Sequence, residues 1–586
     1  MSEGIAAIDE SRITTRLRQP LVPPEAGVFR LGLVLNGTVS AGAWTAGVLD
    51  FLIEAFDLWE NQKEEDKRRG DGPTVPDHHV HLGVAGGASG GGVCAALLAR
   101  ASGWDFPNVS GGDIPANHDN PFWRVWVEEL DISKMLGTED LAVDGAVPIS
   151  LLSGAAIEAA GNFILTWPGP AGKPRNRTWL SDPLRIFVTL TNLRGVPYRI
   201  QLQTDKTGQA RSSFFVDHAD YGLFAFSPNG QDRATLALRD DEHLVRSPDD
   251  WADFAEFVKA TGAFPGGFPP RRLTRPVADY IWRGVALPGQ QGQAPRIVLR
   301  LPAWDALTPP VSPEDDYTFE CVDGGALNNQ PVELVRTALS GLGGSNPRDP
   351  KQADAAVVLI DPFAAVPRCE PPMSGERRDL LGVLGGLASA WVDHGRFATS
   401  DLLLAVEPDV FSRFLLTAND NRNGKPRHGG AALATNGLGA FIGFFSRKLR
   451  VHDFMLGREN CRSFLMNELV LHKDNPLFRG FADRHPDVTR NLRPTDMGSD
   501  WLPIIPVVPP LRVPQPVPAW PVGAVDPAPL HKSIENRLGL VLRRLLENNN
   551  IEIPFEHLLI NTLIDTKLAD AVEKQIKKAV ADEGLA

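Results

Sequence analysis

Two short runs dominated by apolar residues, Leu31–Leu35 and Val80–Ala85, are each followed by a glycine-containing turn and a longer helical pattern. Runs of this length suit strands buried on both faces of a parallel sheet. The helical patterns extend from about Ala43 to Trp59 and over Val93–Arg100. Strand, turn and helix in repeated succession predict an α/β layered fold. Further strand candidates are Arg185–Thr191, Tyr198–Gln203, Arg296–Arg300, Phe319–Val322 and Ala355–Ile360. Residues 60–79 are charged and contain proline, which predicts a loop, and 105–179 is a mixed segment carrying helices over the sheet.

The pattern changes after the last strand candidate. Asp379–Leu471 reads as mostly helical. Residues 501–529 are so dense in proline that neither a helix nor a central strand could keep its backbone hydrogen bonds there, so an extended, polyproline-like path is expected. Ile534, Leu538, Val541, Leu542 and Leu545 then recur at helical spacing. The expected organisation is an N-terminal arm (1–28), a layered α/β domain (29–365), a helical extension (366–500), a proline-rich linker (501–530) and a C-terminal helical segment (531–586).

Composition narrows the function classes. The chain has 586 residues, 43% hydrophobic and 22% charged, with a net charge of -13. That balance disfavours nucleic acid as a partner and strong attraction to anionic membranes. A local basic patch remains at Arg447, Lys448 and Arg450. Four cysteines without a CxxC pair predict neither a disulfide framework nor a zinc site. The chain opens without a secretory signal pattern, and its nearest approach to a membrane span, Leu438–Phe445, is too short. The expected location is cytoplasmic, with peripheral contact at a membrane left open. No cofactor or metal is expected, because no His/Asp/Glu cluster shows ligand spacing along the chain.

Gly87-Ala88-Ser89-Gly90-Gly91 fits G-x-S-x-G between a strand and a helix. The chemistry needs this setting: a sharp turn exposes the serine, small neighbours let the turn close, and the helix N-terminus aims N–H groups at it. A phosphate-binding loop is the competing reading of so many glycines, but no lysine follows them. The second signal is Val322-Asp323-Gly324-Gly325, an aspartate at the end of a strand candidate. An ordinary Asp-Gly turn would look the same in isolation.

Together, and in this order, the two motifs resemble those of the patatin family of lipid acyl hydrolases. Three more stretches carry the resemblance. Gly32–Gly37, continuing into Gly42–Leu49, is similar to the family's opening strand, oxyanion loop and first helix. Thr261–Pro270 is similar to the segment before the aspartate, and Leu327-Asn328-Asn329-Gln330-Pro331 to the N-N-x-P after it. Arg450–Cys461 resembles a stretch of some longer bacterial members. The resemblance implies a three-layer α/β/α fold with a mostly parallel sheet and a largely helical C-terminal extension. It also implies a Ser89–Asp323 dyad acting on lipid acyl esters at a membrane surface through an acyl-enzyme, without histidine. A conventional triad would draw its histidine from His394 or His452.

One departure bears on activity. The family's oxyanion loop is glycine-rich and basic, whereas this chain reads Gly37-Thr38-Val39-Ser40-Ala41-Gly42. Val and Thr resist the positive φ that glycine accepts. Gly37, Thr38, Val39, Gly42 and Gly90 are the candidate oxyanion donors. A protein of the same fold that binds lipid or a partner with little hydrolysis is the alternative. Trp44, Phe264 and Phe268 are candidates for an acyl cleft.

Overall fold

The computed structural model describes residues 9–110, 118–143, 146–201, 212–289, 293–312, 315–364, 407, 409–424, 426–494, 498–548 and 558–586. Its strands are β1 (Val28–Leu35), β2 (His79–Gly87), β3 (Leu180–Gln201), β4 (Ser212–Phe226), β5 (His243–Leu244), β6 (Arg271–Pro276), β7 (Gly284–Leu287), β8 (Arg296–Leu299), β9 (Asp316–Asp323), β10 (Ala355–Ile360) and β11 (Arg413–Leu416). The central sheet runs β11-β10-β1-β2-β3-β4-β5, with β9 and β6 added on β3. Pairing is parallel from β11 to β3, and antiparallel at β3–β4, β3–β9 and β9–β6. Arg296–Leu299 forms instead a separate two-stranded ribbon with β7.

The main helices are α1 (Glu10–Arg18), α2 (Gly42–Arg69), α3 (Gly90–Ala101), α4 (Ala155–Thr166), α5 (Pro248–Thr261), α6 (Val332–Ser340), α7 (Arg447–Asn467), α8 (His531–Asn548) and α9 (Leu558–Asp582). The residue alternation of β1 sorts two cores. Leu31, Leu33 and Leu35 pack with α2, α3 and α7 on one face, while Val34 packs with Val332, Val335 and Leu339 of α6 on the other. This three-layer α/β/α arrangement is the patatin fold the motifs implied.

Three departures from the sequence pattern have physical causes. Helix α2 continues through the charged segment to Arg69, where the pairs Lys63–Glu60, Lys67–Glu64 and Arg69–Asp66 lie one turn apart along it. The strand candidate Arg185–Thr191 and the described part of the candidate Tyr198–Gln203, as far as Gln201, belong to one strand, β3, whose register shifts between Thr191 and Val196. Chain beyond residue 366 is not only helical: β11 pairs with β10, so the sheet does not end at the expected boundary of 365.

Segment 447–467 is also built into the main core. Helices α2 and α7 cross so closely that a Cβ on Gly47 would lie 1.9 Å from the Phe454 carbonyl oxygen, and one on Gly457 2.1 Å from that of Trp44. Any larger residue at either position would push the helices apart. The stretch 39–69 is long and apolar enough to cross a bilayer, yet its most apolar window is 89% buried inside the protein. The proline-rich stretch runs across the surface but sinks Ile504, Ile505, Val507 and Val508 into the core.

Candidate active site

Strand β3 brings the two motifs together. Gly87, at the end of β2, pairs with Val188 of β3. Two residues further along β3, Leu190 pairs with Asp323 at the end of β9. The two strand ends therefore abut on one edge of β3. Asp323 is held there by its own amide to the Ala263 carbonyl (2.9 Å) and by the Thr191 hydroxyl donating to its carbonyl (2.8 Å).

Ser89 sits at the turn between β2 and α3 with φ +52° and ψ -128°, a strained conformation for a residue with a side chain. Its amide donates to the Thr261 hydroxyl (2.9 Å), which fixes the turn. Its side chain is hydrogen-bonded to the Asp323 carboxyl. Asp323 Oδ1 also accepts from the Gly325 amide at 2.6 Å. Burial pushes the Asp323 carboxyl up to about 7, although both hydrogen bonds pull the other way. An aspartate at its ordinary pKa of about 4 is a poor proton acceptor near neutral pH, whereas a carboxyl held near 7 has the basicity that role would need.

The motif glycines provide room and not left-handed backbone. None of Gly37, Gly42, Gly87, Gly90, Gly91, Gly324 and Gly325 has a positive φ. A Cβ on Gly91 would fall 2.1 Å from the Leu35 carbonyl oxygen, one on Gly324 2.2 Å from that of Thr189, and one on Gly87 2.4 Å from that of Gly91. Gly90 faces Thr38 Oγ1 and Gly42 faces the Trp126 ring. Positive φ falls instead on Val39, at +49°, in the candidate oxyanion loop. The β-branched residue thus takes the left-handed conformation that its side chain resists, at a cost of about 1–3 kcal/mol.

The donors of that loop divide. The Gly42 amide points back to the Ser40 and Val39 carbonyls, so it is not available to an oxyanion, contrary to expectation. The Ser89 amide is likewise engaged by Thr261. Among the described residues, the amides of Gly37, Thr38, Val39 and Gly90 have no protein acceptor. Sequence reasoning gave Asn329 no role beyond its motif. Its side-chain oxygen fills the space beside both Gly37 and Gly325, 2.0 and 2.5 Å from where their Cβ atoms would be, and so wedges the oxyanion loop against the Asp-Gly-Gly turn.

Ser89 opens into a cavity of about 880 Å³ with almost wholly apolar walls. Phe264 and Phe268 line it as expected. Trp44 does not: it is fully buried, and its Nε1 donates to Asn460 (2.8 Å) in the α2–α7 contact. Lys259 also lines the cavity and is buried, paired with Glu158 and Glu256.

Comparison with known proteins gives the family. The sequence profile described as Patatin-like phospholipase matches residues 33–336. The chain belongs to the patatin-like phospholipase family. Lipid acyl hydrolysis is the activity associated with that family. This patatin-like chain is also similar to "Uncharacterized protein y4iI" of Sinorhizobium fredii, 31% identical over 554 residues, covering 88% of this chain and 76% of that protein.

Other candidate groups of the patatin-like chain lie elsewhere. His452 is buried, with Nδ1 on Asp453 (2.8 Å), Nε2 on Arg422 (3.1 Å) and its ring against Trp520. Its neighbours Arg450 and Arg458 are buried clamps: Arg450 donates to the carbonyls of Val127, Gly443 and Phe444, and Arg458 pairs with Asp50 and Glu54. The Arg450–Cys461 stretch thus serves packing. His394 lies outside the described residues. Among the described residues, no histidine lines the cavity. One group with metal-ligating atoms within 4.8 Å of each other does exist, His531, Asp570 and Glu573, joining α8 to α9. Linear spacing could not reveal it, because helix packing assembles it.

Proposed function

We propose that this protein is a serine acyl hydrolase that cleaves fatty acyl esters of lipids through Ser89 and Asp323. The observation that carries this reading is a buried carboxyl, raised to about 7, hydrogen-bonded to a serine at the mouth of a large apolar cavity.

In the reading, Ser89 Oγ attacks the ester carbonyl carbon while its proton passes to the Asp323 carboxylate. The carbonyl oxygen becomes an oxyanion facing the free amides of Gly37, Thr38, Val39 and Gly90. Collapse breaks the bond to the alcohol, which leaves with the proton held by Asp323. Water then attacks the acyl-enzyme, gives its proton to the same carboxylate, and releases the fatty acid as the proton returns to Ser89. The apolar cavity holds the acyl chain, and the ester is presented from a lipid surface.

Labelling with a fluorophosphonate probe tests the reading. An adduct on Ser89, and loss of ester turnover in Asp323→Asn, are expected. Folded protein without an adduct would favour a second reading, lipid binding with little hydrolysis. The strained φ of Val39 and the engaged amide of Gly42 are the observations on its side.

A further inference from the structure

The wall of the cavity opposite the family-matched segment is built by the end of the chain. Ile534 and Leu538 of α8 and Val572 and Ile576 of α9 line the same cavity as Ser89, although the family match stops at residue 336. The helical repeat of α8 explains its contribution: Ile534 and Leu538 are one turn apart and share the inward face.

This wall is fastened at several points. Arg537, one residue before Leu538, is fully buried beneath α8. Its Nη2 pairs with Asp140 (2.9 Å), its Nη1 donates to the Gly137 carbonyl (2.8 Å) and its Nε to that of Leu151 (3.0 Å). Leu136 and Leu151, at the borders of that anchored segment, line the cavity too. His531 Nδ1 meets Glu573 (2.9 Å), tying α8 to α9. Just beyond α9, Glu583 accepts from Asn436 (3.0 Å), beside a kinked segment in which Leu438, Gly439 and Ala440 all have positive φ. Ser40 of the oxyanion loop donates to the Ala440 carbonyl. Helices α8 and α9, the kinked segment and the candidate oxyanion loop are therefore linked around the cavity. A wall pinned in this way has a fixed position relative to Ser89.

We propose that the α8–α9 hairpin is the acyl-selecting wall of the site: an extended fatty acyl chain bound at Ser89 lies against Leu538, Val572 and Ile576, and the hairpin determines which chain lengths fit. This rests on the acyl hydrolase reading. It assigns to the C-terminal segment a specificity role that the catalytic pair does not require.

The test uses the full chain and a series of p-nitrophenyl esters: butyrate, octanoate, laurate and palmitate. Leu538→Trp and Val572→Trp should each lower kcat/KM for palmitate relative to butyrate by about tenfold or more, since filling an apolar pocket by a few methylene volumes has that effect. Ile576→Ala should move the preference toward the longer esters, and it covers the case in which a tryptophan variant does not fold. A parallel change, or none, across the series in folded variants overturns the proposal. A binding arm separates this from the catalytic reading. Ser89→Ala protein should take up cis-parinaric acid, a fluorescent long-chain fatty acid, and Leu538→Trp in that background should weaken uptake about tenfold. Binding that weakens while the wild type hydrolyses no ester sinks the hydrolase reading and keeps the wall. Turnover with unchanged length preference and unchanged uptake sinks the wall and keeps the hydrolase.

Discussion

Asp323 accepts a hydrogen bond from Ser89 with a carboxyl that burial holds up to about 7. In the proposed mechanism only its ionised form takes the serine proton. Activity should therefore rise with pH through about 7, and kcat/KM should fall roughly tenfold per pH unit below it. A profile of ester hydrolysis against pH reads this limb directly.

The same shift has a stability sign. The folded pKa lies above the ordinary carboxyl value, so the protein is favoured at low pH and loses that contribution as pH rises through about 7. Asp323→Asn removes the ionising group. It should stabilise the fold above about pH 8 by on the order of 4 kcal/mol, and by little below about pH 4. Denaturant titrations at the two pH values check the crossover.

Val39 stores strain in the loop that faces Ser89. Val39→Gly should raise the melting temperature, because relief of about 1–3 kcal/mol exceeds the roughly 1 kcal/mol of extra chain entropy glycine brings. Val39→Ala should fall between glycine and valine. Thermal unfolding of the three proteins decides the order.

Thr261 carries the amide of Ser89 on its hydroxyl. Thr261→Val keeps the shape but strands that amide, at a cost of about 1–3 kcal/mol. It should also slow fluorophosphonate labelling, while Thr261→Ser restores both. Labelling rates and melting curves separate this from a packing effect, since serine lacks the methyl group that contacts Gly92.

Arg458 balances the buried Asp50 and the partly buried Glu54, both of whose carboxyls are raised by desolvation. Arg458→Met leaves them uncompensated and should destabilise the fold by about 3–5 kcal/mol at neutral pH. The loss should shrink toward acid, where the carboxyls protonate. Unfolding measured at neutral and acid pH tests both parts.

What the sequence revealed, and what it hid, follow from range. β1 and β2 were legible because both faces are buried and their residues are nearly all apolar. Ser89 and Asp323 were legible because small residues crowd around each. The course of β3 was not, because Asn192 to Gly195 interrupt its pattern where the register shifts. β11 was hidden by its length of four residues, in a stretch that otherwise read as helical. The cavity wall was beyond reach: Leu538 and Ile576 look like any amphipathic helix residues until packing sets them opposite Ser89. The φ of Val39 ran against the preference of its side chain, so no local rule could announce it.

The pairing of Gly87 with Val188 and of Asp323 with Leu190 makes β3 a template for the spacing of Ser89 and Asp323. The chain wanders through several helices and ribbons between β2 and β9, yet the distance between their ends is set by two adjacent steps of one backbone. Insertions or deletions in those wandering parts can reshape the cavity without moving Ser89 from Asp323. Architecture of this kind lets the cavity diversify while Ser89 and Asp323 stay in register.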